Sequence, residues 1–254
     1  MVVGVGVHVR LVAESLIRHP APHLNHTVQG QGPRRHRWRT SPYSQAVRQH
    51  RLYFFLMPSP AAPPDALRQQ LRTRRLLLST AERQIAALAV ARRLAETAEF
   101  ITASKVAGYW ACNGELDPAP LLERAWASGK AVYLPVVAGA ALQFAPYQPN
   151  APLRRNRFHI PEPEISPSAW LPPSALDLVL TPLVAFDATG TRLGMGGGFY
   201  DRSFAFRRDP ACAERRPRLV GIAYEFQRVD TLIRQPWDVP LDAAATETTW
   251  RVFG

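Results

Sequence analysis

From Asp65 onward the apolar residues recur at intervals that change from segment to segment. Leu67, Leu71 and Leu78 fall along one side of a helix, with Arg68, Arg72, Arg74 and Arg75 around them and Asp65 as its cap. Ser79-Thr80-Ala81-Glu82 matches a capping box and opens a second, alanine-rich helix carrying Ile85, Leu88, Ala91 and Ala95. Val106 to Cys112 reads as a strand. Asp117-Pro118 supplies a cap and a first-turn proline for a helix that Gly129 ends. Apolar strands follow at Ala131 to Val137 and Leu142 to Ala145. A proline-rich stretch over 146–175 predicts loops. Leu176 to Thr181 reads as a buried strand, a glycine segment precedes a helix from about Tyr200, and Leu219 to Ala223 is a further strand.

Strand, helix and strand repeated in this way predict an α/β fold. We expect a mainly parallel sheet with helices on both faces, a three-layer αβα, Rossmann-like arrangement over residues 65–254. Residues 1–64 hold no sustained period of 2 or 3.6 and end in the proline-rich link Pro58 to Pro64. Three readings fit them: a disordered leader, an arginine-rich, acid-poor organelle transit peptide, or a leader upstream of a native start at Met57. The third is preferred, because the regular pattern begins soon after Met57.

Charge changes the picture less than its total suggests. The 254 residues carry a formal net charge of +11, which alone would point to nucleic acid or an acidic membrane. Residues 1–56 hold eight arginines against Glu14, a net of +7, so the remainder is only mildly basic. That leaves little for an RNA-binding reading, which needs cationic and aromatic side chains clustered within the folded body. Cys112 and Cys212 stand a hundred residues apart in no metal-like spacing, and six of the seven histidines lie in the first 50 residues without a ligand pattern. No apolar run approaches the roughly 18 residues that cross a bilayer. A monomeric cytoplasmic protein with small-molecule partners, and neither nucleic acid nor membrane among them, is the expectation.

The chemistry concentrates in Arg192-Leu-Gly-Met-Gly-Gly-Gly-Phe-Tyr-Asp201. Four glycines in five positions allow positive φ and bring backbone N–H groups close to a ligand. Followed by a helix, such amides make a phosphate cradle. Arg192 adds a charge-assisted grip and Asp201 a ligand for a hard cation. The plain alternative is a flexible turn between strand and helix. The segment is neither a P-loop nor a dinucleotide fingerprint.

This segment resembles the signature of the 5-formyltetrahydrofolate cyclo-ligase family, in its bacterial form Gly-Met-Gly-Gly-Gly-Phe-Tyr-Asp-Arg. Asn113-Gly-Glu-Leu-Asp117, Lys130-Ala-Val-Tyr-Leu-Pro135, Leu176 to Asp187 and Trp237-Asp-Val-Pro240 stand in the family's order and approximate spacing. The likeness covers about 65 to 254. It implies an ATP- and Mg²⁺-dependent ligase that closes N10 of 5-formyltetrahydrofolate onto the formyl carbon, giving 5,10-methenyltetrahydrofolate, ADP and phosphate. ATP phosphorylates the formyl oxygen, N10 attacks, and phosphate departs. Positioning and charge neutralisation then carry the catalysis.

By that resemblance Arg68, Arg192, Leu193, Gly194, Met195, Gly196, Gly197, Gly198, Phe199 and Tyr200 bind ATP, with Arg192 catalytic. Trp110, Glu115, Gly196, Gly198, Phe199 and Tyr200 border the folate, Glu115 accepting two N–H bonds from the pterin. Asp201 and Asp238 hold Mg²⁺. Each has a plainer reading: Glu115 as a helix cap, Trp110 as core, Arg68 as a solvated helix residue, Asp238 as a turn residue. Two departures stand out. Gly197 and Pro64 replace basic residues found in some relatives, with Arg72 or Arg74 as substitutes for the latter. An isomerase or CoA-transferase on a similar scaffold is the rival enzyme; it lacks the loop paired with Asp201 and Asp238.

Overall fold

A computed structural model describes residues 63–209 and 217–254. The expectations for residues 1–62, Met57 among them, and for Cys212 lie outside the described residues. The first helix, α1 (Pro64–Leu77), buries Leu67, Leu71 and Arg75. Asp65 is not its cap. Pro63 holds that position without a side-chain bond, and the Asp65 carboxylate pairs with Arg68 at 2.6 Å. Proline at the first helical residue loses no hydrogen bond, because that N–H has no partner in any helix. In α2 (Thr80–Ala95) the capping box forms as expected, Ser79 and Glu82 exchanging bonds. Its buried side differs from the expected set: Ala86, Ala87, Val90, Ala91 and Leu94 face inward, while Ile85 and Leu88 are exposed. A short α3 (Ala98–Thr102), capped by Thr97, leads to β1 (Lys105–Ala107).

Next come α4 (Ala119–Ala127), β2 (Ala131–Ala138) and β3 (Ala141–Pro146). Gly129 closes the helix in the left-handed region as the sequence predicts, whereas Pro118 rather than Asp117 holds the cap position, and Asp117 accepts from the N–H of Ala119 one residue outside it. The proline-rich stretch holds a small hairpin, β4 (Leu153–Arg155) with β5 (Pro161–Pro163), where loops alone were expected. β6 (Leu178–Pro182) is followed by a two-stranded ribbon, β7 (Ala185–Phe186) and β8 (Arg192–Leu193), before α5 (Phe199–Ser203). The chain ends through β9 (Arg218–Ile222), β10 (Ala243–Ala245) and β11 (Trp250–Val252).

The main sheet among the described residues has seven strands in the order β11-β10-β9-β6-β1-β2-β3, parallel from β10 to β2 with antiparallel pairs at both edges. Alternation divides its two faces. Val106, Val132, Leu178, Leu180, Val220 and Ile222 point to the layer of α2 and α4. Ala107, Tyr133, Val179, Leu219 and Ala244 point to Phe186, Phe204 and Leu241, under α5 and the 3-10 turn Ala205–Arg208. Burial of each of these leucines contributes roughly 2 kcal/mol. The second helical layer is thin, so much of that face is covered by loops. From β1 the chain runs to β2 on one side and later enters β6 on the other. A crevice opens outside the carboxyl ends of strands where the direction of winding reverses.

Candidate active site

That crevice holds a cavity of about 1160 Å³. The segment after β1 forms one wall. Asn113 and Gly114 are consecutive left-handed residues, and a Cβ on Gly114 would lie 3.1 Å from the Arg75 carbonyl oxygen. Glycine there lets the loop lie against α1 and carries Glu115 to the cavity. Glu115 Oε2 accepts from the Cys112 N–H at 3.0 Å, and Oε1 stands 3.9 Å from Arg75 Nη1. Burial pushes the Glu115 carboxyl above its ordinary range, against the opposing pull of the Cys112 amide, Arg75 and Arg72. Trp110 lines the same wall and is 40% exposed, so it is cavity surface rather than core.

The glycine segment forms the opposite wall. It follows the β7–β8 ribbon rather than a central strand directly, and the helix after it has five residues. Gly196 and Gly198 take φ of 95° and 63°. A Cβ at Gly194 would meet nothing within 4 Å, and at Gly196 only Arg68 at 3.9 Å, so the loop presents open space to the cavity. Arg68 lies beside it, its Nε donating to the Gly194 carbonyl at 2.9 Å. Arg192, almost wholly buried, donates to the Val239 carbonyl and pairs through Nη2 with Asp201 Oδ1 at 2.7 Å. Asp201 Oδ1 also accepts from the Val239 N–H at 3.2 Å. Arg192, Asp201 and Val239 therefore form a closed clamp beneath the loop. Tyr200 is half-buried, its ring stacked on Phe204, and burial of its hydroxyl raises that group well above the usual range.

Asp201 and Asp238 line this one cavity together with Trp110, Glu115, Arg68 and Arg192. Leu193, Met195, Gly197, Phe199 and Tyr200 line it as well. Asp238 is also a turn residue, its Oδ2 accepting from Gln235 N–H at 2.8 Å. Neither Arg72 nor Arg74 lines the cavity; Arg74 stacks on Phe226 at 4.2 Å. Among the described residues no group of three or more acidic, histidine or cysteine side chains gathers as a metal site. Asp201 and Asp238 each keep one carboxylate oxygen without a hydrogen bond to the described residues, the kind of hard donor that would suit a magnesium ion.

A model of the "5-formyltetrahydrofolate cyclo-ligase family" matches residues 62–247. The chain belongs to this family. It is 40% identical over 179 residues to the 5-formyltetrahydrofolate cyclo-ligase of Escherichia coli K12, covering 69% of this chain and 96% of that one. The 5,10-methenyltetrahydrofolate synthetase of Aquifex aeolicus superposes with a TM-score of 0.63 at 32% identity, over 74% of this chain and 92% of that one. The synthetase of Mycoplasma pneumoniae gives 0.57 at 26%, over 73% and 99%. Membership makes the chain a ligase rather than an isomerase.

Four features of this cyclo-ligase site escape sequence reasoning. Arg202 donates to the carbonyls of Gly197 and Ala140 and stacks on Phe199, bracing the loop from outside. Phe158 and His159, at the tip of the β4–β5 hairpin, close over the cavity, Phe158 meeting Phe199 edge to face at 5.7 Å. Arg75, read as one of the arginines around the first helix, is fully buried instead. Only Arg75 had a usable signal: it continues the line of Leu67 and Leu71 at intervals of four.

Proposed function

We propose that the chain cyclises 5-formyltetrahydrofolate to 5,10-methenyltetrahydrofolate at the expense of ATP, with Mg²⁺ bound, as a monomer in the cytoplasm. The observation that carries this reading is the opposition, across one cavity, of an open glycine loop and a half-satisfied Glu115 carboxylate. The loop from Arg192 to Tyr200 binds the ATP phosphates through backbone N–H groups, and Arg68 adds positive charge at its edge. Glu115 accepts the aminopyrimidine N–H bonds of the pterin, with Trp110 as its neighbouring wall. Gly196, Gly198, Phe199 and Tyr200 border the formyl group.

The formyl oxygen attacks the γ-phosphorus and ADP leaves. N10 then attacks the activated carbon and loses its proton. The carbon–oxygen bond breaks and phosphate departs, turning an oxygen that will not leave into one that does. The reaction asks the protein for alignment and charge neutralisation rather than for a nucleophile. Arg192, held by Asp201 and the Val239 carbonyl, sets the loop and its positive potential. Asp201 Oδ2 and Asp238 Oδ1 would hold Mg²⁺, which supplies neutralisation of phosphate charge. Among the described residues no helix is long and apolar enough to cross a membrane.

The test is the absorbance of the methenyl product, followed with 5-formyltetrahydrofolate in the presence and absence of ATP and of Mg²⁺. Product formed only with all three supports the proposal. No product with all three present removes it.

A further inference from the structure

Among the described residues Arg75 is the largest of the fully buried side chains and the one cation in that group. It sits in α1 on the same line as Leu67 and Leu71, a place where leucine or methionine would pack without desolvating a charge. Its guanidinium makes one hydrogen bond, Nη1 to the Leu183 carbonyl at 3.2 Å, while Nε and Nη2 have no hydrogen-bond partner. The carboxylate it faces is Glu115, with Oε1 at 3.9 Å. Replacing a buried, sparsely bonded arginine by a hydrophobic residue of similar volume is often neutral or stabilising. The position of Arg75 is better explained by what it does to its neighbour.

We infer that Arg75 is a positioning residue that keeps Glu115 ionised and aimed into the cavity, and so sets the affinity of the site for a pterin-bearing substrate. The inference rests on the assignment of Glu115 to the pterin. A carboxylate accepts two N–H bonds only when ionised, and Glu115 is buried deeply enough for protonation to compete. The groups that act on it are few. Arg75 and Arg72 approach from α1, the Cys112 amide from its own loop, and it in turn bears on Tyr109, the Cys112 thiol and Tyr200 of α5. Arg72 is exposed and screened by solvent, so the sustained positive potential comes from Arg75. Gly114 carries the arrangement, since any side chain there would push the loop off the Arg75 backbone.

The test compares Arg75→Met, Arg75→Lys, Glu115→Gln and the Arg75→Met/Glu115→Gln double variant, measuring kcat and the KM for each substrate from about pH 5.5 to 8.5. Arg75→Met is expected to raise the folate KM about tenfold or more near neutral pH. The acid limb of that profile moves upward by about one pH unit or more, the effect of removing one opposite charge at this range. The ATP KM stays within about twofold, since Arg75 does not line the loop side. Arg75→Lys restores the acid limb, and Arg75→Met adds nothing to Glu115→Gln. A role confined to tying α1 to the Leu183 carbonyl predicts the opposite: equal changes in both KM values, an unmoved acid limb, and additive variants. That pattern overturns the inference. Should Arg75→Met fail to fold, Arg75→Lys decides alone, a displaced acid limb in it being the overturning result. An unchanged folate KM in Glu115→Gln sinks the pterin assignment instead, and is read independently of Arg75.

Discussion

Asp201 and Asp242 are both largely buried aspartates that pair with a buried arginine at 2.7 Å and accept from a backbone amide. They spend their oxygens differently. Asp242 uses both: Oδ1 takes Arg207 and Arg218, and Oδ2 takes the Leu219 N–H at 2.6 Å, fastening β10 to β9 at the amino ends of those strands. Asp201, which lines the cavity, takes Arg192 and the Val239 N–H on the same oxygen, Oδ1, and leaves Oδ2 without a hydrogen bond to the described residues. Asp187, inside a block that resembles the family, behaves like Asp242: Thr189 and Thr191 bond to one oxygen and the Leu232 N–H to the other. The contrast suggests a criterion for partly buried carboxylates of this chain: both oxygens satisfied for a role in the fold, one oxygen in reserve for a proposed ligand.

The strongest way to break this comparison is to remove each aspartate. Asp201→Ala is expected to cut turnover per folded molecule by about a thousandfold, equivalent to about 4 kcal/mol in the barrier, and also to cost about 3 kcal/mol of stability, because Arg192 loses its ion partner. Asp242→Ala should leave kcat per folded molecule within about twofold. It should cost about 3 kcal/mol of stability in urea unfolding, because Arg207 is left as a buried charge without its ion partner. Exchanged effects on turnover would show that oxygen satisfaction says nothing about role.

How much of this could be read before the fold was known depends on the range of the interactions. The Ser79–Glu82 box, the Gly129 helix stop and the short apolar runs of β6 and β9 are local, and the pattern announced them. The glycine segment and its flanking residues were recognisable because their types are unusual in combination. The clamp on Arg192 was not, since its partners arrive from Asp201 and from Val239, 47 residues away. The inward face of α2 was misread because alanine and valine, being small, allow close approach to α4 and the sheet, while the larger Ile85 and Leu88 stay outside. Strands of two or three residues, such as β7, β8 and the all-alanine β10, are too short or too featureless for alternation to register.

Two glycines sharpen the contrast at smaller magnitude. Gly190, in the β7–β8 turn, has φ of 76°, and a Cβ there would stand 2.7 Å from the Leu241 carbonyl oxygen. Gly190→Ala should therefore cost about 2 kcal/mol of stability with little effect on kcat. Gly194 has ordinary φ and open space around its missing Cβ. Gly194→Ala should leave the urea midpoint unchanged within about 0.5 kcal/mol and raise the ATP KM about tenfold, because the added methyl occupies the approach of the phosphates. An unaltered ATP KM would mean that the open side of this loop is not where the nucleotide lies.

The smallest effect belongs to Glu225, a carboxylate near the carboxyl end of β9 and outside the cavity lining. Its Oε2 accepts from Thr246 at 2.6 Å, Thr248 at 3.0 Å and Thr249 at 3.1 Å, and its Oε1 pairs with Arg251 at 2.9 Å. Partial burial alone would raise its pKa, but the hydroxyls and Arg251 outweigh it and hold the carboxyl below the usual range. A pKa depressed by folding stabilises the protein above the unfolded-state value, and that contribution disappears as pH falls through the folded-state value. Glu225→Gln should cost about 1 kcal/mol at pH 7, and the cost should vanish by about pH 3, so wild-type and variant urea midpoints converge on acidification. Glu247 nearby is shifted upward mainly by burial and further by the Glu225 charge, so Glu225→Gln also relieves Glu247 and makes the neutral-pH cost smaller without changing its loss on acidification. The variant's kcat should equal that of wild type, as expected of a carboxylate whose oxygens are both engaged. Midpoints that stay parallel from pH 7 to pH 3 would mean the threonine hydroxyls do not favour the ionised form, and Glu225 would leave the class that Asp242 defines.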